Sequence, residues 1–461
     1  TLTRGTSKTV TIKCDISASA TNGYAWGYNT TSSPSPTGLV SGQSATVTEN
    51  GSVGQTMTVA SSGTLTASKD TNSPSYAVVS PGQTVELGRI KFVAANEDVQ
   101  LRQVALQITG AASSTRVDLV GQKVDLYDGL TLIGSAVFAS GNTATSSALS
   151  GFTVPKDGYK VLSVKGTIAG ISNSGPLTRS GDLLSVDYDG NNTGVNGNYG
   201  VGSSSGTNIT PTGSDTDVSG VRVMRAYPTV AQVALSSGEA LLAAGTAKPL
   251  YKFKVTANNG DIALYKMSFS VSSSTAAGSA ATVTKYSLFA FTNDTFSSPD
   301  PNYSTGVNAN GLVNAGNCYN VLGNNAQSAP TGGNLGTGSV LVEIYVDRTG
   351  CNQGTTTLVI PSGSSRWLRL EGTIGALAPS GTSETIQTQL EGDTAYPVNA
   401  ATLMQIAKVA TGGADSDTNN DFIWSPISTT TTSLHTDLDW TNGYGVPGLP
   451  GTNLTAQSLT K

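Results

Sequence analysis

The residues best suited to chemistry in this chain are oxygen-bearing side chains in two short loops. Asp415, Asp417, Asn419 and Asp421 place such a side chain at every second position. Calcium is a hard cation that collects about six to eight oxygen ligands, and a flexible loop can supply several of them. We therefore predict a calcium site here. The loop lacks the glycine and the terminal glutamate of an EF-hand, so that motif is excluded.

A second and weaker loop of the same kind runs from Asp187 to Asn191 and contains Asp187 and Asp189. We predict that these two carboxylates also contribute to a calcium site. Asp, Asn and Gly favour solvated turns even without an ion, however, and this alternative stays open for both loops.

Enzymatic chemistry finds little support in the residue types. The one histidine, His435, lies in a Thr- and Ser-rich stretch, whereas acid-base and nucleophilic catalysis most often recruit histidine. The stretch 202–206 matches the Gly-x-Ser-x-Gly nucleophile elbow, but that motif has meaning only between a strand and a helix. It lies here in a low-complexity loop. We predict no catalytic residue and no enzyme.

Two of the three cysteines, Cys318 and Cys351, lie in a Gly- and Asn-rich stretch, 292–352, that has little apolar surface to order it. A disulfide between them would stabilise such a loop by about 3–4 kcal/mol in the chain-entropy estimate. We predict this disulfide. Cys14 is left over, either as a small buried residue or as the partner of a cysteine elsewhere.

Aromatic residues mark two candidate contact surfaces. Tyr24, Trp26 and Tyr28 alternate, so an extended backbone places all three rings on one side. Such a row can stack on sugar rings, or it can be sandwich core or a subunit contact. Near the C-terminus, large aromatics lie on a segment too short to form its own core and must pack elsewhere. They are Trp424, Trp440 and Tyr444. We predict that they dock on a neighbouring subunit, with docking on their own chain as the alternative.

The elements that must position these residues are repeated strands. One alternating pattern occurs three times, and the matched positions are Lys8, Val10, Ile12 and Ile16, then Lys160, Leu162, Val164 and Ile168, then Arg366, Leu368, Leu370 and Ile374. A second block, 87–108, recurs at 250–271. Apolar and polar residues alternate within the blocks, and turn-forming residues separate them. The sequence therefore predicts an all-β chain of tandem Ig-like antiparallel sandwiches.

The repeats predict four parts. Residues 61–225 and 226–400 form complete modules, residues 401–461 form an extended docking tail, and residues 1–60 correspond only to the C-terminal part of a module. A two-stranded hairpin is marginally stable at best, so the opening part needs further strands. Upstream sequence, other parts of this chain or a neighbouring subunit are the three sources. Strand addition from a neighbour builds filaments or sheets when the contact does not close on itself.

Composition indicates the setting. Charged residues make up 12% of the chain, about half of the ~25% typical of soluble proteins, and the net charge is −5. The absence of a Lys/Arg cluster argues against nucleic acid as a partner. No stretch approaches the ~20 apolar residues of a membrane span. These features are typical of secreted and cell-surface β-proteins.

The C-terminal sequence resembles that of large cell-surface proteins of ultrasmall candidate-phyla bacteria. The shared features are Phe-Ile-Trp-Ser-Pro at 422–426, a Thr-rich stretch, Asp-Trp-Thr-Asn-Gly-Tyr at 439–444, Pro-Gly-Leu-Pro at 447–450 and the final Leu-Thr-Lys. The modules with Gly-Thr-Ile at 166–168 and 372–374 are similar to the β-repeats of those proteins. The resemblance implies a surface-layer or surface-fibre component with Lys461 as its C-terminus.

Together these observations predict a structural subunit of an extracellular assembly, a surface layer or a filament. Its partners are predicted to be copies of itself, joined by strand pairing and aromatic docking. The alternative is a cell-surface adhesin or glycan-binding protein that uses the aromatic row or the insertion.

Overall fold

The structure is a computed structural model. It describes residues 1–17, 20, 22–27, 36–48, 53–59, 62–109, 115–171, 180–275, 281–314, 319–322, 338–346, 357–396, 420–428, 440–449 and 454–461.

The opening part of the chain contains two short strands, β1 (Gly23–Tyr24) and β2 (Met57–Thr58), which pair antiparallel. Its large apolar side chains are exposed, in contrast to those of the remaining chain. Residues 1–60 therefore contribute no hydrophobic core of their own among the described residues.

The next fourteen strands form a two-layer sandwich whose strand pairs are antiparallel except for one parallel pair, between Ala77–Val79 and Val221–Val223. They are β3 (Thr64–Lys69), β4 (Ala77–Val79), β5 (Thr84–Ala95), β6 (Val99–Gln103), β7 (Ala105–Thr109), β8 (Lys123–Asp128), β9 (Thr131–Val137), β10 (Thr143–Thr145), β11 (Thr153–Val154), β12 (Tyr159–Thr167), β13 (Asp182–Tyr188), β14 (Tyr199–Gly202), β15 (Asn208–Ile209) and β16 (Val221–Val223). One layer has the order β3-β5-β12-β8-β9. The other consists of β11-β6-β14-β15 and β10-β7-β13-β16-β4.

The last eleven strands form a second sandwich. They are β17 (Tyr227–Gln232), β18 (Gly245–Asn258), β19 (Ile262–Thr275), β20 (Thr282–Phe291), β21 (Tyr319–Leu322), β22 (Gly338–Tyr345), β23 (Leu358–Ile360), β24 (Ser365–Gly375), β25 (Glu384–Leu390), β26 (Phe422–Ser425) and β27 (Gln457–Thr460). One layer has the order β17-β18-β24-β20. In the other, β21-β22-β19-β25-β27 are joined by β23 and β26 on β19.

Helical structure in the described residues is confined to short 3₁₀ turns in connections. They are Arg116–Asp118, Val120–Gln122, Pro301–Tyr303 and Gly306–Gly311. None of the described helices has the length and apolar character needed to cross a membrane. The prediction of an all-β chain of tandem antiparallel sandwiches is confirmed.

The repeated sequence blocks occupy the same places in both sandwiches. The order β3-β5-β12-β8 of the first matches β17-β18-β24-β20 of the second. Strands β12 and β24, which carry the repeated alternating pattern, each lie between two partners in the middle of a sheet. Their inward side chains are therefore covered by the opposite layer, which explains the alternation in the sequence.

The predicted tail closes the second sandwich. Strand β26 pairs with β19 as β14 pairs with β6, and both ladders have a register shift at the corresponding position. Strand β27 pairs with β25 as β16 pairs with β13. Strands β26 and β27, which lie in the predicted docking tail 401–461, therefore complete the second sandwich and have counterparts in the first. Longer connections, such as 391–421 against 189–198, hide the correspondence in the sequence.

Each sandwich has its own apolar core. The first packs residues such as Phe92, Leu126 and Val186 between its layers, and the second packs Phe253, Phe269 and Trp424. Val78, from the first sandwich, belongs to the core of the second. The two sandwiches therefore share buried surface at their joint.

Candidate functional site

The repeated alternating pattern forms a buried central strand in both sandwiches. Leu162 and Val164 on β12 are buried, as are Leu368 and Leu370 on β24. Each strand is bonded on one side to a long strand, β5 or β18, and on the other to β8 or β20. The pattern therefore specifies a strand that is bonded on both edges.

The same pattern in the opening part has no such surroundings. Residues 8–16 lie in no strand and all of them are exposed. Val10 is 81% exposed and Ile12 is 68% exposed, whereas their counterparts in the first sandwich, Leu162 and Val164, are 0% and 1% exposed. A segment with the sequence of a central strand is therefore left without strand partners in this structure. We call residues 8–16 the opening strand, because they repeat the sequence pattern of strands β12 and β24, although they form no strand in this structure.

The aromatic row lies in the same opening part. Tyr24 is half-buried on β1, and Trp26 is 46% exposed just after it. Tyr28 lies outside the described residues. The prediction that these rings form a contact surface therefore stays a prediction, and of the two described rings Trp26 is the more exposed.

The tail aromatics are placed within their own chain, which corrects their assignment to a subunit interface. Trp424 and Trp440 are buried, and Trp424 Nε1 donates a 2.7 Å hydrogen bond to the Asn442 carbonyl. Trp440 packs edge-on against Tyr265 of β19, with ring centroids 5.7 Å apart. Large apolar rings on a short segment gain more from the adjacent sheet than from solvent. Neither tryptophan presents a face to a second molecule.

Tyr444 belongs to the joint between the sandwiches. Its ring stacks on Tyr76 with centroids 4.4 Å apart, and the Arg222 guanidinium lies 3.7 Å from the centre of the Tyr396 ring. Arg222 also donates a 3.4 Å hydrogen bond to the Tyr76 hydroxyl. Burial raises the pKa of Tyr76 to about 12, so this hydroxyl stays neutral. A cleft of about 640 Å³ opens beside the two stacked rings.

The second predicted calcium loop does not form a cluster of carboxylates. The Asp187 carboxylate accepts hydrogen bonds from Thr109 and, at 2.7 Å, from the Val218 backbone N–H. Burial raises the pKa of Asp187. Across the described residues, no group of three or more His, Cys, Asp or Glu side chains could hold a metal ion. In this structure the Asp187 carboxylate accepts hydrogen bonds from donors of the protein itself, and calcium binding at Asp187 and Asp189 stays a prediction.

Of the main predicted calcium loop, Asp415, Asp417 and Asn419 lie outside the described residues, and only Asp421 can be placed. Its backbone N–H donates a 2.8 Å hydrogen bond to Asp393. Asp393 is fully buried and also accepts from the N–H groups of Phe422 and Gly443. Burial raises the pKa of Asp393 to about 7, and the nearby Asp421 charge adds to the effect. Calcium binding at 415–421 stays a prediction.

Of the remaining candidate residues from the sequence, some lie outside the described residues and one lies within them. Cys318, Cys351 and His435 lie outside the described residues, so the predicted disulfide stays a prediction. Cys14 is exposed and its thiol is free in the described part of the chain.

One polar site was missed by sequence reasoning. Glu97 is buried beside the loop 202–206, whose Ser205 donates to it through both the hydroxyl and the backbone N–H. Gly63, which connects the opening part to β3, donates a third bond at 2.6 Å, and Ser204 donates a fourth. Burial alone would raise the pKa of Glu97, but these hydrogen bonds outweigh it and lower the pKa to about 2. The serine-rich loop 202–206 therefore anchors a buried carboxylate.

Comparisons with known proteins identify no family. No family model matches the chain, and no curated protein matches it. Among solved structures, the C-terminal domain of the Streptococcus agalactiae AgI/II polypeptide BspA is 10% identical, with a TM-score of 0.17, covering 71% of this chain and 95% of that one.

Two further solved structures give similar values. The C-terminal domain of the Streptococcus pyogenes antigen I/II-family protein AspA is 9% identical, with a TM-score of 0.16, covering 71% of this chain and 94% of that one. The collagen adhesin CNA from S. aureus is 11% identical, with a TM-score of 0.13, covering 71% and 85%. Similarity at this level does not indicate a function.

Proposed function

We propose that this chain is a structural subunit of an extracellular assembly, a surface layer or a filament. In this assembly the opening strand, residues 8–16, is bonded on both edges by strands of a neighbouring polypeptide. Its work is mechanical, because paired strands connect one sandwich to the next across molecules.

The observation that carries the proposal is one sequence pattern in two opposite environments. At the positions of Val10 and Ile12, the two sandwiches have apolar side chains that are fully buried or 1% exposed. Burying an apolar side chain of this size contributes about 1.5–3 kcal/mol. Burial of Val10, Ile12 and Ile16 on pairing of the opening strand would therefore contribute several kcal/mol of favourable free energy to assembly.

The edge strands of the first sandwich are covered, whereas the opening strand is not, and this difference supports the proposal. The outer edge of β9 is covered because Ser147 and Ser150 donate backbone hydrogen bonds to Ser135 and Ile133. The outer edge of β3 is covered by the backbone of Thr212. Natural sheets protect their edges in this way against unwanted pairing. The opening strand has no such protection, which is expected of a segment whose function is to pair.

The proposal is tested by placing charges on the opening strand. In cells that make the protein, the full chain with Val10→Asp and Ile12→Asp should leave the surface assembly and appear in the medium. A charge facing an apolar layer cannot be buried without a partner. The readout is electron microscopy of the cell surface together with the amount of shed protein.

The matched control is Leu39→Asp, an equally drastic change at a residue that is 82% exposed in the opening part but lies outside the repeated pattern. This variant should be retained in the assembly. Retention of the Val10→Asp/Ile12→Asp chain in an unchanged layer or fibre would contradict the proposal.

A binding function is the second candidate, and the exposed face of Trp26 favours it. An adhesin that stacks sugar rings on Trp26 should show a ligand-dependent rise in melting temperature, and Trp26→Ala should abolish that rise. Retention of the wild-type chain in the surface assembly without any sugar would favour the structural function.

A further inference from the structure

Strand β19 carries a buried lysine on the face that points away from the main core of the second sandwich. Met267 and Phe269 of β19 lie in that core. Because side chains alternate along a strand, Lys266 lies on the opposite face, yet it is buried there. The residues around it form a small second apolar cluster, which consists of Ala263, Tyr265, Tyr345, Ile423 and Trp440.

The Lys266 ammonium contacts a carboxylate and a carboxamide, and all three groups are buried. It forms an ion pair with Glu343 of β22, the strand bonded to one edge of β19. It also donates a 3.0 Å hydrogen bond to Oδ1 of Asn420, which lies just before β26 on the other edge. The second carboxylate oxygen of Glu343 accepts a 3.1 Å hydrogen bond from the Tyr345 hydroxyl.

The first sandwich shows that the fold itself does not require these charges. Gln103 on β6 is the counterpart of Lys266 in the repeated block, and Thr145 on β10 has the position of Glu343 in the ladder. Burying two charges is costly, and a buried ion pair is often no more stable than uncharged side chains of similar size. Charged groups kept in such a place therefore indicate chemistry.

We propose that the side chains of Lys266 and Asn420 join in a covalent amide bond, with Glu343 as the catalytic acid and base. The reaction is a transamidation of the chain on itself, and it occurs once per molecule. Tyr345 is a positioning residue, because it holds the second oxygen of Glu343. This inference goes beyond the proposed function and stands without it.

The reaction begins with a proton transfer inside the ion pair. Glu343 takes a proton from Lys266, and apolar surroundings favour the resulting uncharged pair. The lone pair of the neutral amine is then the nucleophile. It attacks Cγ of Asn420, the atom bonded to the oxygen that Nζ already contacts. The Nζ–Cγ bond forms as the carbonyl electrons move onto Oδ1, and the fixed placement of both groups lowers the entropic barrier.

The leaving group is ammonia. Glu343 gives its proton to Nδ2 of Asn420, the Cγ–Nδ2 bond breaks, and the carbonyl re-forms. Glu343 then passes the second Nζ proton to the ammonia, which leaves as ammonium. The products are a secondary amide, one ammonium ion and the restored Glu343 carboxylate, and no atom is oxidised or reduced.

The bond would fasten the closing strand β26 to the middle of its sheet. Lys266 and Asn420 are 154 positions apart in the sequence. In the chain-entropy estimate, cross-links that close long loops restrict the unfolded chain most. Strand β26 pairs with β19 through only four residue pairs, so a covalent bond beside its first residue would keep it in place under load.

The test is the mass of the full wild-type chain, measured after denaturation and reduction. The expected mass is that of the sequence less one molecule of ammonia. Succinimide formation at an asparagine also releases ammonia, so a tryptic digest must in addition contain a branched peptide that joins Lys266 to Asn420. The full sequence mass, or loss of ammonia without the branched peptide, overturns the proposal.

Two variants test the roles of the residues. Lys266→Arg keeps the positive charge but removes the amine nucleophile, and Glu343→Gln keeps the shape but cannot accept the proton. Both should have their full sequence mass and yield no branched peptide. A branched peptide formed by Glu343→Gln as fast as by wild type would overturn the catalytic role of Glu343. If a variant does not fold, as judged by circular dichroism, the wild-type mass decides.

The matched control is Lys252→Arg. Lys252 is also buried and forms an ion pair, with Glu239. This variant should lose one ammonia and yield the branched peptide as wild type does. Absence of the branched peptide in Lys252→Arg would mean that the reaction does not depend on Lys266 in particular, which contradicts the proposal.

Discussion

Two buried carboxylates show how strongly local donors decide the charge state of a residue in this chain. Glu97 accepts four hydrogen bonds from the serine-rich loop and Gly63, which lower its pKa to about 2. Asp393 accepts three backbone hydrogen bonds, yet burial and the Asp421 charge raise its pKa to about 7. The two residues therefore predict opposite responses of stability to pH.

Glu97→Gln should lower the free energy of unfolding by about 2 kcal/mol at pH 7, because hydrogen bonds to a charged acceptor are lost. A carboxylate with a lowered pKa in the folded state stabilises the fold above its unfolded value of 4.5 and loses this effect as the pH falls toward 2. The difference in the free energy of unfolding between wild type and Glu97→Gln should therefore be smaller at pH 3 than at pH 7. Urea unfolding at both pH values measures it.

The matched control is Glu86→Gln, which removes only a surface pair with Arg89 and should cost less than about 1 kcal/mol. An equal loss for Glu97→Gln at pH 7 and pH 3 would argue against the anchoring role of the carboxylate.

Asp393→Asn should flatten the pH dependence of stability between about pH 4 and 7. A carboxyl group with a raised pKa in the folded state contributes stability below its unfolded value of 3.8 and loses it as the pH rises through about 7. Wild type should therefore lose more stability than the variant over this range. Parallel pH profiles of the melting temperature for the two proteins would contradict the prediction.

At the residue scale, sequence reasoning identified exposed candidates better than buried ones. The alternation of Tyr24 and Trp26 was readable, and Trp26 is exposed. Glu97 carried no local signal, because its partners Gly63 and Ser205 are distant in sequence and meet only in the fold. The acidic residue of 415–421 that can be placed, Asp421, lies beside Asp393, which no spacing rule connects to that loop.

At the element scale, the closing strands of the second sandwich depend on the C-terminal sequence. Trp424→Ala should destabilise the protein by about 3–5 kcal/mol, because it leaves a large cavity under β26. Trp26→Ala should change stability by less than about 0.5 kcal/mol, since that side chain is half exposed. Chemical denaturation of both variants measures the contrast. Similar costs for the two tryptophans would mean that β26 is not part of the sandwich.

The strands that share a sequence block and spacing were predictable, whereas β14 and β26 were not matched. Alternation identified β12 and β24 because the inward face of each strand packs against the opposite layer of its sandwich. Strand β14 pairs with β6 and β26 pairs with β19, and the two ladders have a register shift at the corresponding position. The two strands have almost no residue types in common, and Gly200 lies where the second sandwich has Trp424. Their correspondence lies in the backbone, so the sequence alone indicated a separate tail.

At the scale of the whole molecule, the joint makes the two sandwiches a continuous unit. Arg222→Ala removes the contact with Tyr396 and the hydrogen bond to Tyr76. We expect the variant to unfold in two calorimetric transitions where the wild type shows one, since coupled units melt together. Arg116→Ala, whose side chain bonds only within the first sandwich, should keep the single transition. Two transitions in the wild type would contradict the coupled joint.

The most direct measurement is amide hydrogen exchange at residues 8–16, compared between the native assembly and the isolated full chain. Backbone N–H groups in a strand bonded on both edges exchange slowly, whereas exposed ones exchange rapidly. The account predicts slow exchange of the opening strand in the assembly and rapid exchange in the isolated chain, with β12 slow in both. Rapid exchange of residues 8–16 in both samples would contradict it.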